Sequence, residues 1–88
     1  MTLDEIRKTI DSMLCEIEND DEATIFINGV DFRLKNVCYE TRSNGLIICD
    51  LNCNMISSIY YDDIKSFKVL EYRNSKCYSH VEHFEVIE

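Results

Sequence analysis

Eighty-eight residues with 17 acidic and 9 basic side chains, net charge -8, make one small domain whose core is too modest for a second site or an internal cavity. The carboxylate excess repels phosphate backbones and anionic membranes, which disfavours nucleic acid as a partner; it serves either plain solubility or, in a sharper reading, an acidic face that binds a basic partner. Apolar residues make up 45% of the chain, which argues against disorder, yet no apolar run reaches the roughly 18 residues a membrane span requires.

The first element in chain order is an amphipathic helix over residues 3–18, within an N-terminal segment 1–19. Leu3, Ile6, Ile10, Met13, Leu14 and Ile17 fall within about 100° of arc at helical spacing. Thr2 and Glu5 have the spacing of a capping box, and Met1 and Ile6 that of a hydrophobic staple. Residues 1–18 alternate charged and apolar side chains, which is not a secretory-signal pattern. Glu16 and Glu18 occupy the last turn, where acids oppose the helix dipole. Asp20, Asp21 and Glu22 follow, so that five of the seven residues 16–22 are acidic. Such a local violation of helix chemistry marks either a solvated loop or a functional surface. Cys15 points away from the apolar stripe and is expected to be exposed.

Asn28-Gly29 is a strong hairpin signal, because a type I′ turn needs positive φ at both central positions. With that turn, Ile27 faces Val30, Phe26 faces Asp31, Ile25 faces Phe32, Thr24 faces Arg33 and Ala23 faces Leu34. Ile25, Ile27, Val30 and Phe32 then share one apolar face. The apolar phase slips after Leu34, which predicts a bulge or sharp bend at Lys35–Asn36. Ser43-Asn44-Gly45 and Asn52-Cys53-Asn54 mark turns on either side of a central strand, Leu46–Leu51. Strands are expected at 55–61 and 64–70, split by Asp62-Asp63. A loop at 73–76 then leads to a final strand, 77–87. The layout is α+β and mostly β: one helix and five or six short antiparallel strands.

The segments TIFINGVDF and IYYDDIKSF, within residues 3–70, resemble the Sm-like fold and its bacterial Hfq-like branch. The resemblance implies an SH3-type barrel or strongly bent sheet over residues 20–70; residues 71–88 have no counterpart in it and are expected as a C-terminal strand extension. It also implies subunits assembled by pairing edge strands. The RNA-binding residues of that family are not retained: Tyr61-Asp62 stands at its Lys-His position, Leu34-Lys35 at its strand glycine and Arg42-Ser43-Asn44 in its base-stacking loop. Tyr60 alone stands at a matching aromatic position.

Five cysteines, an odd number at irregular spacing, are expected as reduced thiols in a cytoplasm. Cys49 and Cys53 with His80 and His83 fit no standard zinc spacing. No phosphate loop, Ser-His-Asp frame or metalloprotease motif is present. The expectation is a non-enzymatic protein without metal or cofactor.

Two function classes follow. In the first, Glu16, Glu18, Asp20, Asp21, Glu22, Tyr60, Tyr61, Asp62 and Asp63 form an interface for a basic surface, as on a nucleic-acid-binding machine. Small acidic inhibitors of phages and mobile elements, anti-CRISPR proteins among them, mimic nucleic-acid charge in this way, and the analogy is one of composition. In the second, an Sm-like oligomer binds RNA through Arg33, Lys35, Arg42, Tyr60 and Lys65, with Lys68 as a further cation. The first needs the acids to converge on one surface, the second the cations.

Overall fold

The computed structural model describes residues 1–73 and 75–85. Helix α1, Leu3–Glu16, is followed by β1 (Thr24–Ile27), β2 (Val30–Arg33), β3 (Val37–Thr41), β4 (Gly45–Asp50) and β5 (Met55–Tyr60). A 3-10 turn, Tyr61–Asp63, leads to β6 (Ser66–Arg73) and β7 (Lys76–His83).

The capping box forms. Thr2 Oγ1 accepts from the Glu5 N–H at 3.2 Å, and the Thr2 N–H donates to Glu5 Oε1 at 3.4 Å. The helix stops at Glu16, two residues before the expected end. The Ile17 N–H tightens to the Leu14 carbonyl at 3.2 Å, and the Asp20 N–H donates to the Ile17 carbonyl at 3.1 Å. Asp20 Oδ1 then accepts from the Glu22 N–H at 3.0 Å. An aspartate side chain that offers the backbone such a partner favours a turn over a further helical turn. Leu3, assigned by spacing to the apolar stripe, is exposed, whereas Ile6, Ile10, Met13, Leu14 and Ile17 are buried.

The strands fall into two antiparallel sheets, ordered β2-β1-β6-β7 and β3-β4-β5. The β1–β2 register pairs Ile27 with Val30, Phe26 with Asp31, Ile25 with Phe32 and Thr24 with Arg33, as the Asn28-Gly29 turn predicts. Asn28 and Gly29 have φ of 51° and 84°. Val30 is nonetheless exposed, because β2 is an edge strand and this pair lies against the turn.

Two expectations are corrected. Among the described residues there are seven strands rather than five or six, because a turn, closed by the Asn36 N–H on the Arg33 carbonyl at 2.9 Å, separates β2 from β3. Of the barrel and the bent sheet expected, no closed barrel is found among the described residues: that same turn hands the chain from one sheet to the other, and no ladder among them joins the two. The last strand ends at His83 rather than Ile87, and its partner is β6 along the full length of both. Asn74 and Ile87 lie outside the described residues.

One hydrophobic cluster joins α1 to both sheets. It unites Ile6, Ile10 and Met13 with Ile25, Phe67 and Val69 of one sheet and Leu46 and Ile48 of the other. Phe84 closes it after β7, its N–H on the Lys65 carbonyl at 2.8 Å. No helix among the described residues is long and apolar enough to cross a membrane.

Candidate functional site

The acidic stretch at the end of α1 forms a connected rim. Glu16, Glu18 and Asp20 line a hollow together with Cys15, Glu71 and Tyr72. Glu18, Asp20 and Asp21 line a second against Val37, Cys38 and Tyr39 of β3. Asp21 and Glu22 border a third with Phe26, Asp31, Arg33 and Lys35. Glu16, Glu18, Asp21 and Glu22 are exposed, and Asp20 is half-buried in its turn. The last turn of α1 holds no basic residue, so the negative helix end and the carboxylates repel one another.

Compensation comes from β7. His80 Nδ1 lies 3.3 Å from Glu16 Oε2, and Nε2 lies 3.0 Å from Glu82 Oε1. Both ring nitrogens can donate only in the imidazolium form. Glu82 first, and Glu16 second, therefore raise the His80 pKa above its ordinary 6.5. The clasp ties the start of the acidic rim to an edge strand. Beside it, Glu71 of β6 is buried opposite Tyr78.

The remaining predicted interface residues lie elsewhere. Tyr60, Asp62 and Asp63 gather with Leu3 at the opposite end of α1, across a helix of 14 residues, about 20 Å long. Tyr61 is no surface residue. It is 1% exposed, and its hydroxyl donates to the Arg42 carbonyl at 2.9 Å. Burial raises its pKa. Spacing gave no way to tell Tyr60 from Tyr61, since adjacent residues take opposite faces and the inner face was not fixed.

The candidate RNA-binding residues divide too. Arg33 and Lys35 border the acidic loop. The Lys68 ammonium sits 5.0 Å from the Phe26 ring centroid, a cation–π contact across the β1–β6 ladder. Lys65 Nζ donates to the Asp62 carbonyl at 3.0 Å, near Tyr60. Arg42 is paired with Glu40 at 3.2 Å. Tyr60 therefore does not join Arg33, Lys35 and Lys68 on one face.

Cys49 and Cys53 lie on β4 and the turn after it, whereas His80 and His83 lie on β7 in the other sheet. Among the described residues, no group of three or more His, Cys, Asp or Glu is arranged to hold a metal ion. Sequence reading missed the Glu16–His80–Glu82 clasp and buried Glu71. The His80-x-Glu82 spacing does place both on one strand face, but the helix end that meets them is 64 residues away. Comparison with known proteins finds no matching family model, no matching curated protein and no matching solved structure.

Proposed function

We propose that this is a non-enzymatic protein-binding module whose acidic rim, Glu16 to Glu22, engages a basic surface of a nucleic-acid-binding protein. The carrying observation is the convergence of Glu16, Glu18, Asp20, Asp21 and Glu22 around three adjoining hollows. Clustered carboxylates on a low-dielectric wall attract cationic groups and speed their association. Exposed Tyr72 borders two of these hollows and offers the flat, amphipathic contact that interfaces favour. The inhibitor form of the proposal is charge mimicry: the carboxylates occupy the place of phosphates on the partner. Asp62, Asp63 and Tyr60 form a separate patch and would meet the partner only if it spans the length of α1.

A second reading keeps the Sm-like RNA-binding assembly. It is favoured by the outer face of the four-stranded sheet, where Phe26, Lys68, Arg33 and Tyr72 combine cations with aromatic rings. Asp21, Glu22 and Asp31 border the same face and oppose a phosphate backbone.

The first reading is tested by reversing the exposed charges around the Asp20 turn, Glu18→Lys, Asp21→Lys and Glu22→Lys together. Immobilised wild-type protein is expected to capture a basic nucleic-acid-binding protein that the variant loses, while circular dichroism stays unchanged. Capture of the same partner at equal strength by a folded variant would remove this loop from the interface.

A further inference from the structure

The β3–β4 ladder sets Cys38 directly opposite Cys49. The Arg42 N–H donates to the Gly45 carbonyl at 2.8 Å. Alternation along the ladder from there makes Cys38 and Cys49 a hydrogen-bonded pair as well. Such pairs hold their Cα atoms about 5.5 Å apart with side chains on the same face. That separation lies within the Cα range a disulfide spans, about 4.4–6.8 Å, but the Cβ atoms of a hydrogen-bonded pair, about 5.5 Å apart, must draw in to about 3.5–4.5 Å, so the bond is a strained and readily reduced one. Cys38 is exposed and Cys49 half-buried. The Cys38 thiol donates to the Asp50 carbonyl at 3.6 Å, which turns it toward the end of β4 that carries Cys49.

We propose that Cys38 and Cys49 are a redox-active dithiol, closed to an intramolecular disulfide by small-molecule disulfides of the glutathione class. The exposed Cys38 thiol loses its proton to water, and its thiolate attacks one sulfur of oxidised glutathione. A mixed disulfide forms and one glutathione thiolate leaves. Cys49 then deprotonates and attacks the Cys38 sulfur, and the second glutathione leaves. Two protein thiols are oxidised, one glutathione disulfide is reduced, and two glutathione thiols are released.

The order follows from exposure. Burial pushes the Cys49 thiol up, with Cys38 and Cys53 adding to the rise, and the exposed Cys38 is the one that meets the oxidant first. Once Cys38 is in a mixed disulfide, its contribution to that rise is gone. Cys15 and Cys77 sit on α1 and β7, outside this sheet. Cys53 is the nearest rival, in the turn after β4, with its N–H on the Asp50 carbonyl at 3.0 Å. It has no register partner in the ladder, and Met55 is the residue set opposite Cys49. Cys38 also lines the hollow beside Glu18, Asp20 and Asp21, whereas Cys49 does not.

The test exposes the reduced full chain to oxidised glutathione, alkylates the remaining thiols in denaturant and maps the peptides by mass. The expected result is loss of two of the five alkylatable thiols, a Cys38–Cys49 cross-linked peptide, and full recovery with dithiothreitol. Cys38→Ser and Cys49→Ala should each abolish that peptide, and Cys53→Ser should leave it. A link between other cysteines, a stable glutathione adduct on Cys38 without closure, or five unreacted thiols would each overturn the proposal. So would the same link dominating when oxidation is carried out in denaturant, because the fold would then not select it.

Discussion

His80 shows how far one side chain can tie elements together. Its two carboxylate partners come from the end of α1 and from β7 itself. Because its folded pKa is raised, its stabilisation is fully present below the unfolded value of about 6.5 and is lost as pH rises through the folded value. Thermal stability of wild type relative to His80→Gln is therefore expected to be greater at about pH 6 than at about pH 8.5, and an NMR titration should place His80 above 6.5. A titration at or below 6.5 would show that the clasp is not formed in solution. Asn28 is the second such residue. Sequence reading makes it half of a turn. In the structure its Oδ1 also accepts from the Lys65 and Ser66 N–H groups at 2.7 and 3.1 Å, and its Nδ2 donates to the Asp63 carbonyl at 2.9 Å. Asn28→Gly retains the positive φ but removes three hydrogen bonds, at an expected cost of about 2–4 kcal/mol in denaturant unfolding. Asn28→Asp keeps the two acceptor contacts and should cost less.

At the scale of elements, legibility followed the range of the interactions that define each piece. The α1 start and the Asn28-Gly29 hairpin were readable because cap, turn and periodicity all lie within a few residues. The end of α1 was overrun because it closes with the Ile17 N–H on the Leu14 carbonyl and passes into a turn held by Asp20, local bonds that no helical period reveals. The β2–β3 junction was seen as a bend but not as a change of sheet, since strand pairing is decided by partners far along the chain. The site divided in the same way. The acidic loop was legible as a run of residues, whereas the Glu16–His80 contact was not. Gly45 illustrates a local residue with a distant reason. A Cβ there would lie 2.5 Å from the Ile59 carbonyl oxygen on β5. Because backbone cannot move aside as a side chain does, Gly45→Ala is expected to cost about 1–3 kcal/mol, measured as a lower denaturant midpoint at unchanged slope. A neutral effect would mean that β4 and β5 are packed more loosely than their register implies.

For the whole molecule, charge and edges act together. Among the described residues, each sheet leaves two strands unpaired on one side, β2 and β7 in one and β3 and β5 in the other. Pairing of β7 along all of β6 shields the edge that β6 would otherwise present, so assembly through strand edges has to use one of these four. Charged residues stand on β2, β3 and β7, and none on β5. The net charge of -8 sets an electrostatic barrier to any phosphate-bearing ligand that salt would weaken and low salt would strengthen. On the proposed function, the acidic rim and not the scattered cations makes the working surface. This is tested most directly by titrating the purified protein against fluorescent A-rich and U-rich single-stranded RNA at low salt, with solution mass read on the same sample. No saturable binding to either RNA is expected. Saturable binding by an oligomer, weakening as salt rises, would contradict it and return the function to the Sm-like reading.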